Sequence, residues 1–514
     1  MICSLLCNSI SILLIGLATA IYVYLKYVYS YWRRRGVKYP KPSFPFGNLT
    51  KTFLQKCSLG ELQQEQYSET EEPFYGIFGI FRPIFIPRST ELIQNILVTD
   101  FQHFVDRGIY FDEKHDPLSA HLFSINAEKW KNLRVKLTPT FTSGRLKSMF
   151  STITGSAGSL VRHLDKAAQR DEPFEARETA ACYTTNNIAS VAFGIDIDCF
   201  EEPNSPFRYY GRKPIEPCFK NATRFICAFF FPSIMKAFKL RLFDHDVEEF
   251  YVNLVKQNLE LREKSAVVRK DFFQLLVQLR NTGSVQLDDQ WATTITNDDS
   301  KKLSLMELVA QSFLFYAAGF ETSSTVISFF LYEMAVNPHI QEKVQSEIDR
   351  VLQKHNGLTY DSIREMSYLE CCVDETLRKY PAVVMLNREC TREYRIANSN
   401  VVIEKGTAVQ IPVFALHHDE KYYPKPEIFD PERFNEKNRK EKTFLNMPYL
   451  PFGEGPRNCI GLRLGKLQSS IGIISVLQKF NVYLAEGMSR EPKLDPGSSM
   501  PAIIGGINLK VVRR

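Results

Sequence analysis

The 514-residue chain has no CxxC pair among its 11 cysteines, no internal repeat, no long linker and no tract of one charge. Cysteines that are odd in number and scattered, with only Cys371 and Cys372 adjacent, exclude a disulfide framework and fit a reducing compartment. A formal net charge of +6 spread along the chain excludes a nucleic-acid footprint. The length exceeds a usual single-core domain of ~100 to 200 residues, yet without a linker the chain reads as one large body. At 44% hydrophobic and 24% charged, it is not bulk disorder. The 38 Phe and 23 Tyr suit an ordinary core, or equally the lining of a large apolar cavity.

The amino terminus also lacks something: no basic residue precedes its apolar run from Ile10 to Leu25. That excludes the pattern of a cleaved signal peptide, whose positive charge comes first. With Cys3 to Asn8 the run approaches the ~20 residues needed to cross a bilayer, and Lys26, Arg33, Arg34 and Arg35 follow it. Charge after the span keeps the remainder on the cytoplasmic side. Residues 1–30 are therefore read as an anchor, 31–48 as a basic, proline-rich hinge, and 49–514 as the body. On that side the sequons at Asn48 and Asn221 are accidental.

The pattern predicts a mainly α fold with smaller β-sheet regions, an α+β body. Phe74 to Ile80, a turn at Phe81-Arg-Pro83 and Ile84 to Ile86 read as a hairpin. The polar stretch from Asn281 to Lys302 reads as a surface loop. Ser304 and Glu307 have capping-box spacing ahead of an apolar helix that Asn337 and Pro338 end. Running from Leu305 to Val336, it would extend roughly 48 Å and be buried. Ala318, Gly319, Glu321 and Thr322 in its middle form either a packing notch or a ligand face. A helix through Gln341 and Leu352 follows, then one from Tyr368 to Tyr380 that places Glu375 and Arg378 on one face.

Phe452-Gly-Glu-Gly455-Pro-Arg457-Asn-Cys459-Ile-Gly461 sets a lone cysteine among glycines, which let backbone approach a flat cofactor and turn amides toward sulfur. Such donors, a metal, and the dipole of a helix starting after Gly461 would favour a thiolate. This string resembles the haem-binding signature of the cytochrome P450 superfamily, Phe-x-x-Gly-x-Arg-x-Cys-x-Gly, at every fixed position. Ala318-Gly319-Phe320-Glu321-Thr322 resembles its oxygen-binding helix motif and Glu375-Thr-Leu-Arg378 its Glu-x-x-Arg motif. Pro431-Glu-Arg433-Phe434 matches its arginine-bearing loop, and Trp130-Lys-Asn-Leu-Arg134 its propionate-binding pair. The order is the family's, across the whole chain. Asp106-Arg107-Gly108, Pro117 to Phe123 and Leu137 to Gly144 look like the microsomal insect branch called family six. Leu464, Asn126-Ala127 and Ala382 depart from the commoner residues of relatives.

The resemblance implies haem b (iron protoporphyrin IX) between the long central helix and the cysteine loop, with Cys459 as axial iron ligand. Phe452, Gly455, Gly461 and Ala318 would border it, and Arg457, Trp130, Arg134 and Arg388 would bind its propionates. Thr322 and Glu321 would steer protons, with Gly319 and Ala318 leaving room for oxygen, and Glu375, Arg378 and Arg433 would brace the cysteine loop. His417 reads as a core or surface histidine. The implied activity is a monooxygenase acting on lipophilic small molecules: xenobiotics, plant allelochemicals or insecticides. Hormone or fatty-acid oxidation, a haem-thiolate isomerase or dehydratase, and a non-catalytic carrier stay open. Implied partners are NADPH-cytochrome P450 reductase, cytochrome b5 and membrane lipid, at the endoplasmic reticulum. A docking face would use Lys129, Lys131, Lys136, Arg463 and Lys466. Substrate contacts would come from Ile109 to Phe123, Phe207 to Phe230, Phe313 to Ala318, Ala382 to Leu386 and Met500 to Ile504.

Overall fold

The computed structural model describes residues 2–216, 218–265, 268–286, 291, 302–441, 443–498 and 500–514. Most of the stretch read as a loop between Asn281 and Lys302 lies outside them. Ser304 and Glu307 form the expected capping box, and the central helix runs Leu305–Val336. It is long and apolar enough to cross a membrane, but its most apolar window is 61% buried inside the protein. Exclusion of water by neighbouring helices, rather than lipid, explains its apolar surface. Against it pack the flanking helix Ala176–Ile188 and the helix Leu462–Leu477 that follows the cysteine loop, here the cysteine helix. Pro338–Lys354 and Ser367–Lys379 complete the same core.

A second core lies under a four-stranded sheet. Phe74–Gly79 and Arg82–Pro87 make the expected hairpin, Ala408–Ile411 joins the second strand in parallel, and Leu386–Glu389 forms the edge. The turn is one residue earlier than the sequence suggested: Ile80 takes a left-handed φ of 59°, while Arg82 and Pro83 already belong to the strand. Phe174–Glu175, Asn508–Arg513 and Phe480–Leu484 form a three-stranded sheet, and Tyr394–Arg395 pairs with Val402–Ile403.

Residues Ile2–Tyr29 form one helix of 28 residues, about 42 Å long. The chain after it is docked on the hairpin. Trp32 is 2% exposed and donates from Nε1 to the Ile77 carbonyl at 3.0 Å. Gly76 admits the indole, since a Cβ there would lie 2.4 Å from the ring.

Candidate functional site

The cysteine loop folds back on itself where the Cys459 N–H donates to the Phe452 carbonyl at 2.8 Å. Gly453 and Gly455 take left-handed φ values of 70° and 74°. A Cβ on Gly455 would fall 1.9 Å from the Leu97 carbonyl oxygen, so only glycine fits. Gly461 has an ordinary φ of −89°; it caps the cysteine helix and aims its amide at the Cys459 sulfur. Cys459 is accessible at its side chain although protein surrounds the loop that carries it. Burial pushes its thiol up, opposed by the Gly461 amide and by Arg134 and Arg107.

Those cations form a cluster. Arg107, Arg388 and Arg457 are each lowered to about 9, first by burial and then by repulsion from one another or from Arg134. Arg457 lies 4.5 Å above the Trp130 ring and donates to the Ile125 carbonyl at 2.7 Å. Arg134 grips the cysteine loop through the Asn458 carbonyl and side chain at 2.9 and 2.8 Å. Arg107 donates to the Arg457 carbonyl at 3.1 Å and Arg388 to the Asn387 carbonyl at 2.8 Å. The Nε atoms of Arg107, Arg388 and Arg457 are buried without a partner among the described residues. Asp106 approaches Arg457 to 3.7 Å and is shared with the Ala127 amide at 2.6 Å. Buried cations normally have paired anions, so this surplus of donors and charge fits an acidic cofactor such as a haem with two propionates. Arg134, Arg388, Arg457 and Trp130 were legible from the sequence, whereas Arg107, seen only within Asp106-Arg107-Gly108, was not; nothing local marks that arginine as buried.

The small residues of the central helix divide. Gly319 is the packing notch, because a Cβ there would meet the Ile188 side chain at 2.6 Å. That corrects the expectation that it leaves room for a ligand. Ala318 is exposed in the middle of a buried helix, and Thr322, one turn on, is half-buried. The Thr322 hydroxyl donates to the Ala318 carbonyl at 2.7 Å. Glu321 is ion-paired with Arg177 of the flanking helix.

Glu375 and Arg378, both fully buried, make a two-point contact at 2.8 and 2.9 Å. Arg433 completes the triad at 3.4 Å from Glu375. Arg378 also donates to the His417 and Pro426 carbonyls at 2.9 and 2.7 Å, and the Asp430 amide to Glu375 at 2.9 Å. His417 is fully buried and, by burial, held well below its ordinary pKa; its Nε2 accepts from the Leu450 amide at 2.9 Å. It therefore ties this triad to the chain entering the cysteine loop.

Around the site, the Tyr110 amide bonds the Ala228 carbonyl at 3.0 Å and the Phe207 ring meets the Tyr316 ring edge-on with centroids 4.8 Å apart. Three of the five segments read as substrate contacts thus meet. Leu386 lies against Gly453 of the cysteine loop, whereas Ile503 pairs with Leu494. Of the expected basic face, Lys466 is committed to Asp374 at 2.6 Å and Lys129 to Glu113 at 2.7 Å. Among the described residues, Lys131, Lys136 and Arg463 have no carboxylate partner.

A family model described as Cytochrome P450 matches residues 39–509. The chain is 41% identical over 476 residues to "Probable cytochrome P450 6d5" of Drosophila melanogaster, covering 92% of this chain and 93% of that protein. It is 41% identical over 490 residues to "Probable cytochrome P450 6d4" of the same organism, covering 94% of each. To "Cytochrome P450 6d1" of Musca domestica it is 36% identical over 516 residues, covering 96% of this chain and 98% of that protein.

Proposed function

Because the chain belongs to the cytochrome P450 family, and is thereby a haem monooxygenase, we propose that it holds haem b through Cys459 and oxidises lipophilic xenobiotics with NADPH electrons from a flavoprotein reductase. Cytochrome b5 is a second electron donor in this reading. The observation that carries it is the cluster of Arg107, Arg134, Arg388 and Arg457 beside an accessible Cys459. Held by the Cys459 thiolate, a haem would supply dioxygen activation and transfer of one oxygen atom to the substrate.

The protein's own groups do the rest. The Gly461 amide and the guanidinium groups of Arg134 and Arg107 stabilise the sulfur anion. Arg107, Arg134, Arg388 and Arg457, with Trp130, hold and neutralise the propionates. Ala318 leaves the ligand face open. Thr322 carries the proton: its hydroxyl gives up the Ala318 carbonyl and turns toward the ligand. Glu321 admits protons when its pair with Arg177 opens. The Glu375, Arg378, Arg433 and His417 network braces the loop and takes no part in the chemistry.

The helix Ile2–Tyr29 anchors the protein in the endoplasmic reticulum with the body in the cytoplasm. Ile12, Ile15 and Val23 are 70%, 67% and 59% exposed on it, and cations follow. Chain lacking residues 1–30 should sediment less with microsomes; undiminished sedimentation would remove the anchor.

The test of function is loss of a lipophilic probe by the full chain with reductase and NADPH. Loss should need both; no loss in a sample with a reduced CO band near ~450 nm, the wavelength in the family's name, would sink the reading. Thr322→Ala should raise peroxide released per NADPH by about tenfold, since general acid-base groups contribute that much or more. Unchanged coupling would take the proton role from Thr322.

A further inference from the structure

In an α-helix each carbonyl accepts from the amide four residues on. Four successive carbonyls of the central helix, at Ala318, Gly319, Phe320 and Glu321, accept side-chain donors as well. Thr322 reaches Ala318 at 2.7 Å, and Ser324 and Thr325 reach Glu321 at 2.9 Å, all from the helix itself. The other two come from neighbouring helices. Thr184 of the flanking helix reaches the Phe320 carbonyl at 3.0 Å, and Gln468 Nε2 of the cysteine helix reaches the Gly319 carbonyl at 3.0 Å. Side chains inserted on helix carbonyls loosen the ladder and bend the axis. This one turn, which carries Ala318 and Thr322, is therefore held from outside.

Gln468 is an improbable residue for packing alone. It is 1% exposed, and its Oε1 is buried without a partner among the described residues. Asn187 of the flanking helix is 0% exposed, and its side-chain amide hydrogen-bonds the Tyr183 hydroxyl. That hydroxyl donates to the Gln468 backbone carbonyl at 3.1 Å. An unpartnered buried amide oxygen is destabilising, and a seam kept polar at that cost serves something other than packing.

We propose that Gln468 is a positioning residue for oxygen activation: its amide, carried on the helix that starts at the cysteine loop, holds the Gly319 carbonyl and so sets where the Thr322 hydroxyl sits. This rests on the monooxygenase reading of Thr322. Thr184 supplies the matching hold from the flanking helix. Because Gly461 caps the same helix that carries Gln468, the thiolate loop and the proton-carrying turn are tied by one rigid element.

The experiment uses the full, haem-loaded chain carrying Gln468→Met, which keeps length and loses the donor, and Gln468→Leu, which removes the amide with a shorter apolar side chain. Both should raise peroxide per NADPH by about fivefold, the effect of one hydrogen bond. Both should also speed amide exchange in peptides spanning 318–326 while leaving the reduced CO band in place. Unchanged coupling with unchanged exchange would overturn the proposal. So would loss of the CO band in step with coupling, which marks plain destabilisation, or wild-type behaviour in Gln468→Leu. If the unsubstituted protein oxidises no probe, the monooxygenase reading fails, while the exchange comparison still judges whether Gln468 holds the turn.

Discussion

Cys459→Ala is expected to abolish the reduced CO band near ~450 nm and to cut turnover by at least roughly 1,000-fold, because no other described cysteine is placed to replace it. Burial pushes Cys182, Cys199, Cys371 and Cys390 up to about 12, 11, 11 and 11. Cys182 has Arg208 and Arg212 nearby but no amide, and the Cys390 thiol donates to the Arg392 carbonyl at 2.9 Å and has no cation beside it. Cys459 combines the Gly461 amide with Arg134 and Arg107. A metal ligand must be a thiolate, so this combination decides which sulfur serves. Turnover retained in Cys459→Ala with the band intact would place the iron elsewhere.

Arg378→Leu should lower stability by about 3 to 5 kcal/mol, seen as a drop in the unfolding midpoint and faster haem loss. The substitution leaves Glu375 fully buried without its two-point partner and removes the donors to the His417 and Pro426 carbonyls. Burial already raises Glu375 above the usual carboxyl range, with Arg378 the main opposing influence. Losing Arg378 raises it further, and the carboxyl then escapes part of the penalty by taking up a proton. A folded-state pKa above the unfolded value means relative stability is present at low pH and lost as pH rises. The defect should therefore be larger at pH 8 than at pH 6. Glu375→Gln with Arg378→Met should recover part of the loss, because removing both charges avoids the stranded one. Equal stability of Arg378→Leu and the unsubstituted chain would show that the network braces nothing.

What was legible in advance had its cause within one stretch of chain. The capping box at Ser304 and Glu307, the stop at Asn337 and Pro338, and the glycines around Cys459 act over a few residues, and each appears where expected. Glu375 and Arg378 share a face because they are three apart on one helix. The hairpin was legible but its turn was not, because proline punctuation suggested Phe81 to Pro83. Instead Ile80 adopts the left-handed conformation, a choice made by pairing of Phe78 with Pro83 and Gly79 with Arg82. Gly319 shows the same limit. Its smallness was visible, but whether it faced a ligand or Ile188 depended on where the flanking helix packs.

By itself, then, the sequence determined the family, the long buried helix, the lone cysteine in its loop and the residue types of the proposed haem site. Those follow from local spacing and composition, which act before distant segments meet. Only the tertiary structure decided that Arg107 joins Arg134, Arg388 and Arg457, that Glu321 is tied to Arg177, that His417 links the buried triad to Leu450, and that Gln468 reaches Gly319. Each joins segments separated along the chain. Their charge and hydrogen bonds are settled by which helices and loops exclude water together, a property no single stretch of residues contains.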